Sequence, residues 1–178
     1  NNNKYQIRIP QFDNGHGGVI DNVYQTSGKR SPIWEDGTQL FEGEFNRDIV
    51  NRLIQKCQEN GYKYYNVVPE LEDISRTVRI KRINKYHKEN DNNTFLFSIH
   101  SNAGGGNGCE TFVSQNCSEM SIKMAKKTEE VFHKHFPNKR FRGVKFKNFD
   151  LVKLTNCPAI LWELFFMDNY IECKNLLL

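Results

Sequence analysis

The sequence predicts an α/β fold, a single-domain sandwich in which helices flank a mostly parallel central sheet. Two observations predict this class. Short segments with strand character alternate with longer segments whose apolar residues recur at helical spacing, and residues 95–99 are almost continuously apolar. A short apolar run of this kind is typical of a strand that is buried on both faces. Because neither an internal repeat nor a linker is found, the 178 residues are expected to form one domain.

The chain is expected to open with a strand and a long loop. Tyr5, Ile7 and Ile9 alternate with polar neighbours, which predicts a strand that runs into the glycine-rich residues 13–18. Residues 19–41 carry turn-forming residues without sustained periodicity and therefore predict a long surface loop.

A helix, a strand and a second helix are expected next. Apolar residues of 44–57 recur at helical spacing, and Asn60 with the glycine after it provides the expected helix stop. Residues 64–68 have strand character. Asp73 or Ser75 is expected to cap a basic helix that ends near residue 87.

The second half of the chain repeats the alternation of strands and helices. The expected elements are strands over residues 95–99, 110–113 and 159–162 and a helix over residues 118–136. The helix is expected to turn Met124, Thr128, Val131 and Phe132 inward. The chain ends at residues 175–178 on a run of three leucines after Asn175, which suggests a final helix that is cut short.

Charge and cysteine content limit the classes of partner. The net charge of +4 and the pI of about 8.8 favour an anionic partner, which includes nucleic acid, an anionic membrane face and a bacterial wall polymer. The basic residues of the second predicted helix spread around it, as in a solvated face, so nucleic acid is not expected. No apolar run is long enough for a bilayer, so no membrane partner is expected. The five cysteines form no CxxC pair and are expected to be mostly reduced.

Four residues with useful chemistry lie where strands end or a helix begins. His16 follows the first strand, His100 closes the strand over residues 95–99, and Glu163 closes the last strand. Glu42 immediately precedes a predicted helix. Because ligands of open α/β sheets bind beyond the carboxyl ends of the strands, these side chains are expected to converge.

Two histidines and a carboxylate can hold a catalytic Zn²⁺ and leave a fourth position for water, while a second glutamate acts as base. The other histidines, His87, His133 and His135, lie on predicted helices and are interpreted as surface or hydrogen-bonded residues. The glycines near His16 match neither a P-loop nor a complete GxGxxG motif.

Four segments together resemble the zinc-dependent N-acetylmuramoyl-L-alanine amidases of bacterial autolysins and phage endolysins. The segments are DNGHGG at residues 13–18, EGEFN at residues 42–46, SIHSNA at residues 98–103 and PAILWE at residues 158–163. They occur in the order found in that family and span nearly the whole chain. The resemblance implies one catalytic domain over residues 1–178.

The resemblance also implies a role for each of the four residues. One zinc ion is expected on His16, Glu42 and His100, with Glu163 as general base and then acid. Glu44 is the rival for Glu42, which is preferred because an asparagine follows it four residues later, as in the family.

Two further residues are expected to contact substrate, Asn102 in the third segment and Arg79, which an asparagine follows five residues later as in a family pattern. The chain departs from the family near Glu163. Trp162 replaces a branched aliphatic residue, and Phe165 stands where the family usually has glycine, so the cleft wall is expected to differ.

The implied activity is hydrolysis of the amide between N-acetylmuramic acid and the L-alanine of the stem peptide. Peptidoglycan is then the partner, the bacterial cell wall is the place of action, and a monomer is expected. Two alternatives remain open, a zinc peptidase that cuts within the stem peptide and a non-catalytic wall-binding module. The products released from peptidoglycan, the zinc content and the turnover distinguish these functions.

Overall fold

The computed structural model describes residues 7–177, so Tyr5 and Leu178 lie outside the described residues. The strands are β1 (Ile9–Asn14), β2 (Val19–Ile20), β3 (Val23–Tyr24), β4 (Tyr65–Asn66), β5 (Thr94–Asn102), β6 (Cys109–Val113), β7 (Phe141–Phe146) and β8 (Ala159–Phe166). The helices are α1 (Glu42–Glu59), α2 (Arg76–Glu89), α3 (Glu119–His135), α4 (Asp150–Lys153) and α5 (Tyr170–Leu176).

Six strands form the central sheet in the order β4-β1-β5-β8-β6-β7. Every neighbouring pair is parallel except β6 and β8, which are antiparallel. The predicted mostly parallel sheet is therefore confirmed. Because β6 runs opposite to β8, the start of β6 lies at the same edge of the sheet as the ends of β1, β5 and β8.

Helices cover both faces of this sheet, as predicted. Ile83 of α2 packs with Leu161 of β8 on one face, and α4 packs there too. Ala125 of α3 packs with Ile160 of β8 on the other face, which α1 also covers. Since successive residues of a strand point to opposite faces, Glu163 points to the same side as Leu161. The candidate base therefore faces the α2 and α4 side.

Several strand boundaries differ from the prediction. β1 begins at Ile9, so Ile7, one of the alternating residues that predicted this strand, precedes it, and β1 runs into the glycine-rich segment as predicted. β5 and β8 continue past His100 and Glu163, so these residues lie inside strands and do not close them. The last residues of β5 line a site and not an apolar core. Because they are polar, the sequence pattern did not indicate that the strand continues past His100.

The loop predicted over residues 19–41 contains the small antiparallel hairpin of β2 and β3. Asp21 and Asn22 join these strands with φ values of 47° and 66°. Consecutive left-handed residues are the conformation of a type I′ turn, which Asp and Asn tolerate better than most residues. The prediction of an irregular loop was wrong here, because strands of two residues are too short to produce a periodic pattern.

Two elements, β7 and α4, were not predicted from the sequence. β7 carries a glycine and two basic residues among its apolar ones, and α4 has only four residues.

In α3, the inward positions Thr128 and Phe132 are confirmed, but the inward position of Val131 is wrong, since it is 38% exposed. The buried residues Ser121, Ala125, Thr128 and Phe132 follow a stripe that excludes Val131.

All five cysteines are free thiols, as predicted. Among residues 7–177, no helix combines the length and the apolar character that crossing a bilayer requires.

Candidate active site

Three predicted residues meet at the carboxyl edge of the sheet. His16 lies on the loop after β1, Glu42 is the first residue of α1, and His100 lies in β5. Glu42 Oε2 lies 3.2 Å from His16 Nε2, and Glu42 Oε1 lies 3.1 Å from His100 Nδ1. One potential ligand atom from each residue lies within 4.8 Å of the other two. The expected convergence of separate segments is therefore present in the fold.

Glycines allow this close approach. A Cβ on Gly15 would lie 2.1 Å from His100 Cε1, and a Cβ on Gly43 would lie 1.8 Å from the carbonyl oxygen of Gly17. His16 itself has a φ of 69°, a left-handed conformation that non-glycine residues seldom adopt. The glycine-rich segment thus lets the loop of His16 pack directly on β5 and on the start of α1.

Asn46 connects these parts one turn into α1. Its amide nitrogen donates to the Gly15 carbonyl oxygen at 3.0 Å and to Glu42 Oε1 at 3.4 Å. Helical spacing places residues 42 and 46 on one face, so the asparagine at i+4 orients the glutamate. The asparagine of the EGEFN segment therefore positions the glutamate of the same segment.

Glu42, and not Glu44, faces the histidines. Glu44 Oε1 accepts a hydrogen bond from the Val19 backbone N–H at 2.6 Å and so ties α1 to the hairpin. Glu42 is 3% exposed and also accepts from the Ser101 backbone N–H at 3.2 Å. Burial opposes its ionisation, but hydrogen bonds with His100 and then His16 hold the pKa of Glu42 well below its usual range. The cluster thus holds a carboxylate at neutral pH.

Glu163 lies beside this cluster, because its Cα pairs with that of His100 across the parallel β5 and β8 ladder. Within residues 7–177, Glu163 Oε2 is buried without a hydrogen-bond partner. Burial raises the pKa of Glu163 to about 7, against the opposing effect of the His100 charge, and the negative charges of Glu42 and Glu110 add to the rise. A buried carboxyl with a raised pKa and an unused oxygen is well suited to proton transfer.

A cleft of about 660 Å³ opens over these residues. The ends of β1, β5 and β8 form its floor, and the first residues of α2 and α4 form one wall. His16, Glu42, His100, Glu163 and Asn102 all line it. The cleft is large enough for part of a peptide or a sugar.

Arg79 lines the cleft but is only 3% exposed, and it forms an ion pair that was not predicted from the sequence. Its Nη1 lies 2.8 Å from Asp13 Oδ1, and its other hydrogen bonds reach three backbone carbonyl oxygens, including that of His16 at 3.2 Å. Ser98 Oγ donates to the other Asp13 oxygen at 2.6 Å. Asp13 belongs to the segment of His16 and Ser98 to the segment of His100. Their place in these two segments was the sequence signal that could have indicated their contact with Arg79. Direct contact of Arg79 with substrate would require exchange of these partners.

Asn102 donates to Glu110 Oε1 at 2.7 Å, and Arg142 and Lys145 of β7 contact the same carboxylate. Sequence reasoning missed this group because β7 was not predicted.

His133 and His135 lie exposed on α3, and His87 is buried against Thr94, with its Nδ1 2.8 Å from Thr94 Oγ1. These three histidines are outside the site.

The donor set fits a zinc ion. Imidazole nitrogen and carboxylate oxygen are ligands of catalytic zinc, and a set of three leaves a position for water. Glu163 lies beside this set, and one of its carboxylate oxygens has no hydrogen-bond partner among the described residues. A general base in such a site needs an oxygen that is free in this way. A P-loop interpretation of the same glycines has no support, since they match no P-loop motif and Gly15 packs directly against the His100 ring.

Comparisons with known proteins agree with this arrangement. The family model described as N-acetylmuramoyl-L-alanine amidase matches residues 12–177. An endolysin of Bacillus phage SPP1 is 28% identical over 168 residues, which cover 91% of this chain and 56% of the endolysin. The chain therefore spans little more than half the length of this relative.

Solved structures share the fold. The N-acetylmuramoyl-L-alanine amidase from Clostridium difficile 630 is 22% identical with a TM-score of 0.76, covering 97% of this chain and 87% of that one. The catalytic domain of CwlV, an N-acetylmuramoyl-L-alanine amidase from Bacillus (Paenibacillus) polymyxa var. colistinus, is 23% identical with a TM-score of 0.66, covering 95% and 86%. Because the family match extends over almost the entire chain, the protein belongs to the N-acetylmuramoyl-L-alanine amidase family.

Proposed function

We propose that this chain is the catalytic domain of a peptidoglycan hydrolase that acts on the bacterial cell wall. It cleaves the amide between N-acetylmuramic acid and the L-alanine of the stem peptide. The observation that carries the proposal is the cluster of His16, Glu42 and His100 beside Glu163 in one cleft. The family match supports the choice of amide.

One zinc ion is assigned to His16, Glu42 and His100. When bound, zinc supplies Lewis acidity at the amide carbonyl oxygen and makes water a stronger acid. The pKa of Glu42, held low by its two histidine partners, keeps this carboxylate ionised and able to bind a cation. The hydrogen bonds from Asn46 and Ser101 fix its orientation.

Glu163 is assigned as general base and then general acid. Its unpartnered oxygen accepts a proton from the attacking water, and the same carboxyl returns it to the leaving L-alanine nitrogen. A pKa near 7 suits both steps, since the group can exist in either protonation state near neutral pH.

Asn102 is assigned to substrate because it lines the cleft. For Arg79 we now prefer a positioning role. Its contacts with Asp13 and with the His16 carbonyl oxygen hold the first histidine loop against β5. A monomer in solution is expected, and sedimentation would measure it.

The decisive experiment is digestion of purified peptidoglycan followed by mass spectrometry of the fragments. The expected result is free stem peptide with a new N-terminal alanine, together with intact glycan chains. Cleavage only between amino acids of the stem peptide would instead identify a zinc peptidase. Binding to peptidoglycan without any released fragment, by a protein that has been supplied with zinc, would identify a wall-binding module.

A further inference from the structure

A second charged group lies next to Glu163 and has no part in the proposed proton transfer. Glu110 of β6 is 5% exposed, and its Cα lies opposite that of Glu163 in the antiparallel ladder. Glu110 Oε1 accepts from Asn102, while Glu110 Oε2 accepts from Arg142 Nε at 2.9 Å and from Lys145 Nζ. One buried carboxylate therefore meets two cations.

This group places two cations beside the cleft, on one buried carboxylate. A single cation is enough to balance the buried carboxylate of Glu110. The second is surplus, and both remain accessible, with 23% of the Arg142 side chain and 40% of the Lys145 side chain exposed. Asn102, which lines the cleft, joins Glu110 to the proposed reaction centre. The surplus charge is thus available to an anionic part of a bound substrate.

Arg142 is held in one orientation. Its Nε is fixed by Glu110, and its guanidinium carbon lies 5.0 Å from the centre of the Phe166 ring. Phe166 is itself buried, and a Cβ on Gly106 would lie 2.5 Å from that ring, so the ring has no room to move toward the loop. Within residues 7–177, neither Nη atom of Arg142 has a hydrogen-bond acceptor. This free edge has the shape of a bidentate carboxylate site.

The distance from Glu163 limits which carboxylate can reach this edge. β8, β6 and β7 are successive neighbours, and strands lie about 4.8 Å apart, so the backbone of Arg142 lies roughly 10 Å from that of Glu163. The Arg142 side chain extends toward Glu110 of the intervening strand. Its guanidinium group therefore lies closer to Glu163 than its backbone does. In a stem peptide whose second residue is joined onward through its side-chain carboxyl, the α-carboxylate of that residue is the first free carboxylate after the scissile amide. Two extended residues span about 7 Å, and the reach of the Arg142 side chain covers the remainder of the roughly 10 Å between the two backbones.

We propose that Arg142, supported by Lys145, binds the α-carboxylate of the second residue of the stem peptide. The proposal rests on the proposed amidase function and names the part of the substrate that the cleft recognises. A carboxamide at that position loses the charge and presents an N–H donor to a site built of donors. The subsite therefore selects stem peptides whose second residue is not amidated.

The test uses two synthetic N-acetylmuramoyl pentapeptides that differ only in a carboxylate or carboxamide on the second residue. The kcat and KM for peptide release are measured for the wild type, Arg142→Gln and the matched control Arg140→Gln. Arg140 is exposed near the same end of β7, and the one hydrogen bond of its side chain among the described residues is to Asn107. Thermal unfolding checks that each variant is folded.

The wild type and Arg140→Gln should prefer the carboxylate substrate by about tenfold or more in kcat/KM, the usual effect of one charge-assisted hydrogen bond. Arg142→Gln should abolish this preference by raising KM for the carboxylate substrate while the carboxamide substrate is unaffected. Equal rates of the wild type on both substrates, or an equal loss on both in Arg142→Gln, would overturn the subsite. If the wild type releases no peptide from either substrate, the amidase function itself fails, and the subsite falls with it.

Discussion

Gly43 lies directly against the carbonyl oxygen of Gly17, with no space for a side chain between them. A Cβ on Gly43 would approach that oxygen to 1.8 Å, a distance that no real contact tolerates. Gly43 follows Glu42 in α1, and Gly17 follows His16. The contact therefore sets the distance between two of the three residues assigned to zinc.

Gly43→Ala should reduce zinc binding, because either α1 or the loop of His16 must move away to accommodate the methyl group. The change is measured as zinc per protein after dialysis against limiting metal, with thermal unfolding alongside. Gly28→Ala is the matched control, since a Cβ there would meet no atom within 4 Å. Wild-type zinc content in Gly43→Ala would show that the packing does not position the ligands.

Removal of either histidine should empty the metal site. His16→Ala and His100→Ala should each lose the single zinc ion and the activity, because two remaining ligands bind zinc weakly. Elemental analysis and turnover measure this, and a chelator should abolish wild-type turnover until zinc is added back. His133→Ala, on the exposed face of α3, should keep both properties. Stoichiometric zinc and full activity in both of the first two variants would refute the ligand assignment.

Glu163→Gln and Glu42→Gln should separate the base from the ligand. Glu163→Gln keeps the size of the side chain but cannot accept a proton, so turnover should fall about 10²-fold or more while zinc stays bound. Glu42→Gln should lose zinc together with activity, because the amide is a weaker ligand and no longer pairs with His16 and His100. The reverse pattern, with zinc lost only from Glu163→Gln, would exchange the two roles.

The stability of the metal-free protein should depend on the ionisation of Glu163. The folded protein keeps this proton up to a pKa of about 7, whereas the unfolded chain releases it near the ordinary glutamate pKa of 4.5. Between these values the folded state binds more protons, so the free energy of unfolding falls as pH rises. Glu163→Gln lacks this loss. Relative to the wild type, it should gain roughly 2 to 3 kcal/mol between about pH 5 and about pH 8.

Urea unfolding at several pH values measures this gain. Glu119→Gln, a surface substitution at the exposed start of α3, serves as the control. A difference between Glu163→Gln and the wild type that does not change with pH would mean that burial does not perturb the Glu163 carboxyl.

The sequence was informative where one short segment contains both an element and its functional side chain. His100 and Glu163 directly follow apolar strand residues, so their position at the sheet edge follows from the chain itself. The EGEFN segment holds Glu42 and Asn46 at helical spacing, and that local geometry is present in the structure.

Contacts between segments that are far apart in the sequence could not be predicted from such local patterns. The pair of Asp13 and Arg79 joins residues 66 positions apart, and the contact of Glu110 with Arg142 joins two strands, one of them not predicted. β7 lacks an apolar pattern because Arg142 and Lys145 interrupt it with charge. Their pairing depends on the register of β6 and β7, which shifts after Cys109 and which no local pattern encodes.

The position of β8 has a consequence for biosynthesis. It is the last strand in sequence, yet it lies between β5 and β6 in the sheet. Without β8, the facing edges of β5 and β6 have no partner strand. The strand that joins them also carries Glu163. In synthesis, the three residues assigned to zinc therefore all precede β8, whereas the residue assigned as base arrives with the strand that closes the sheet.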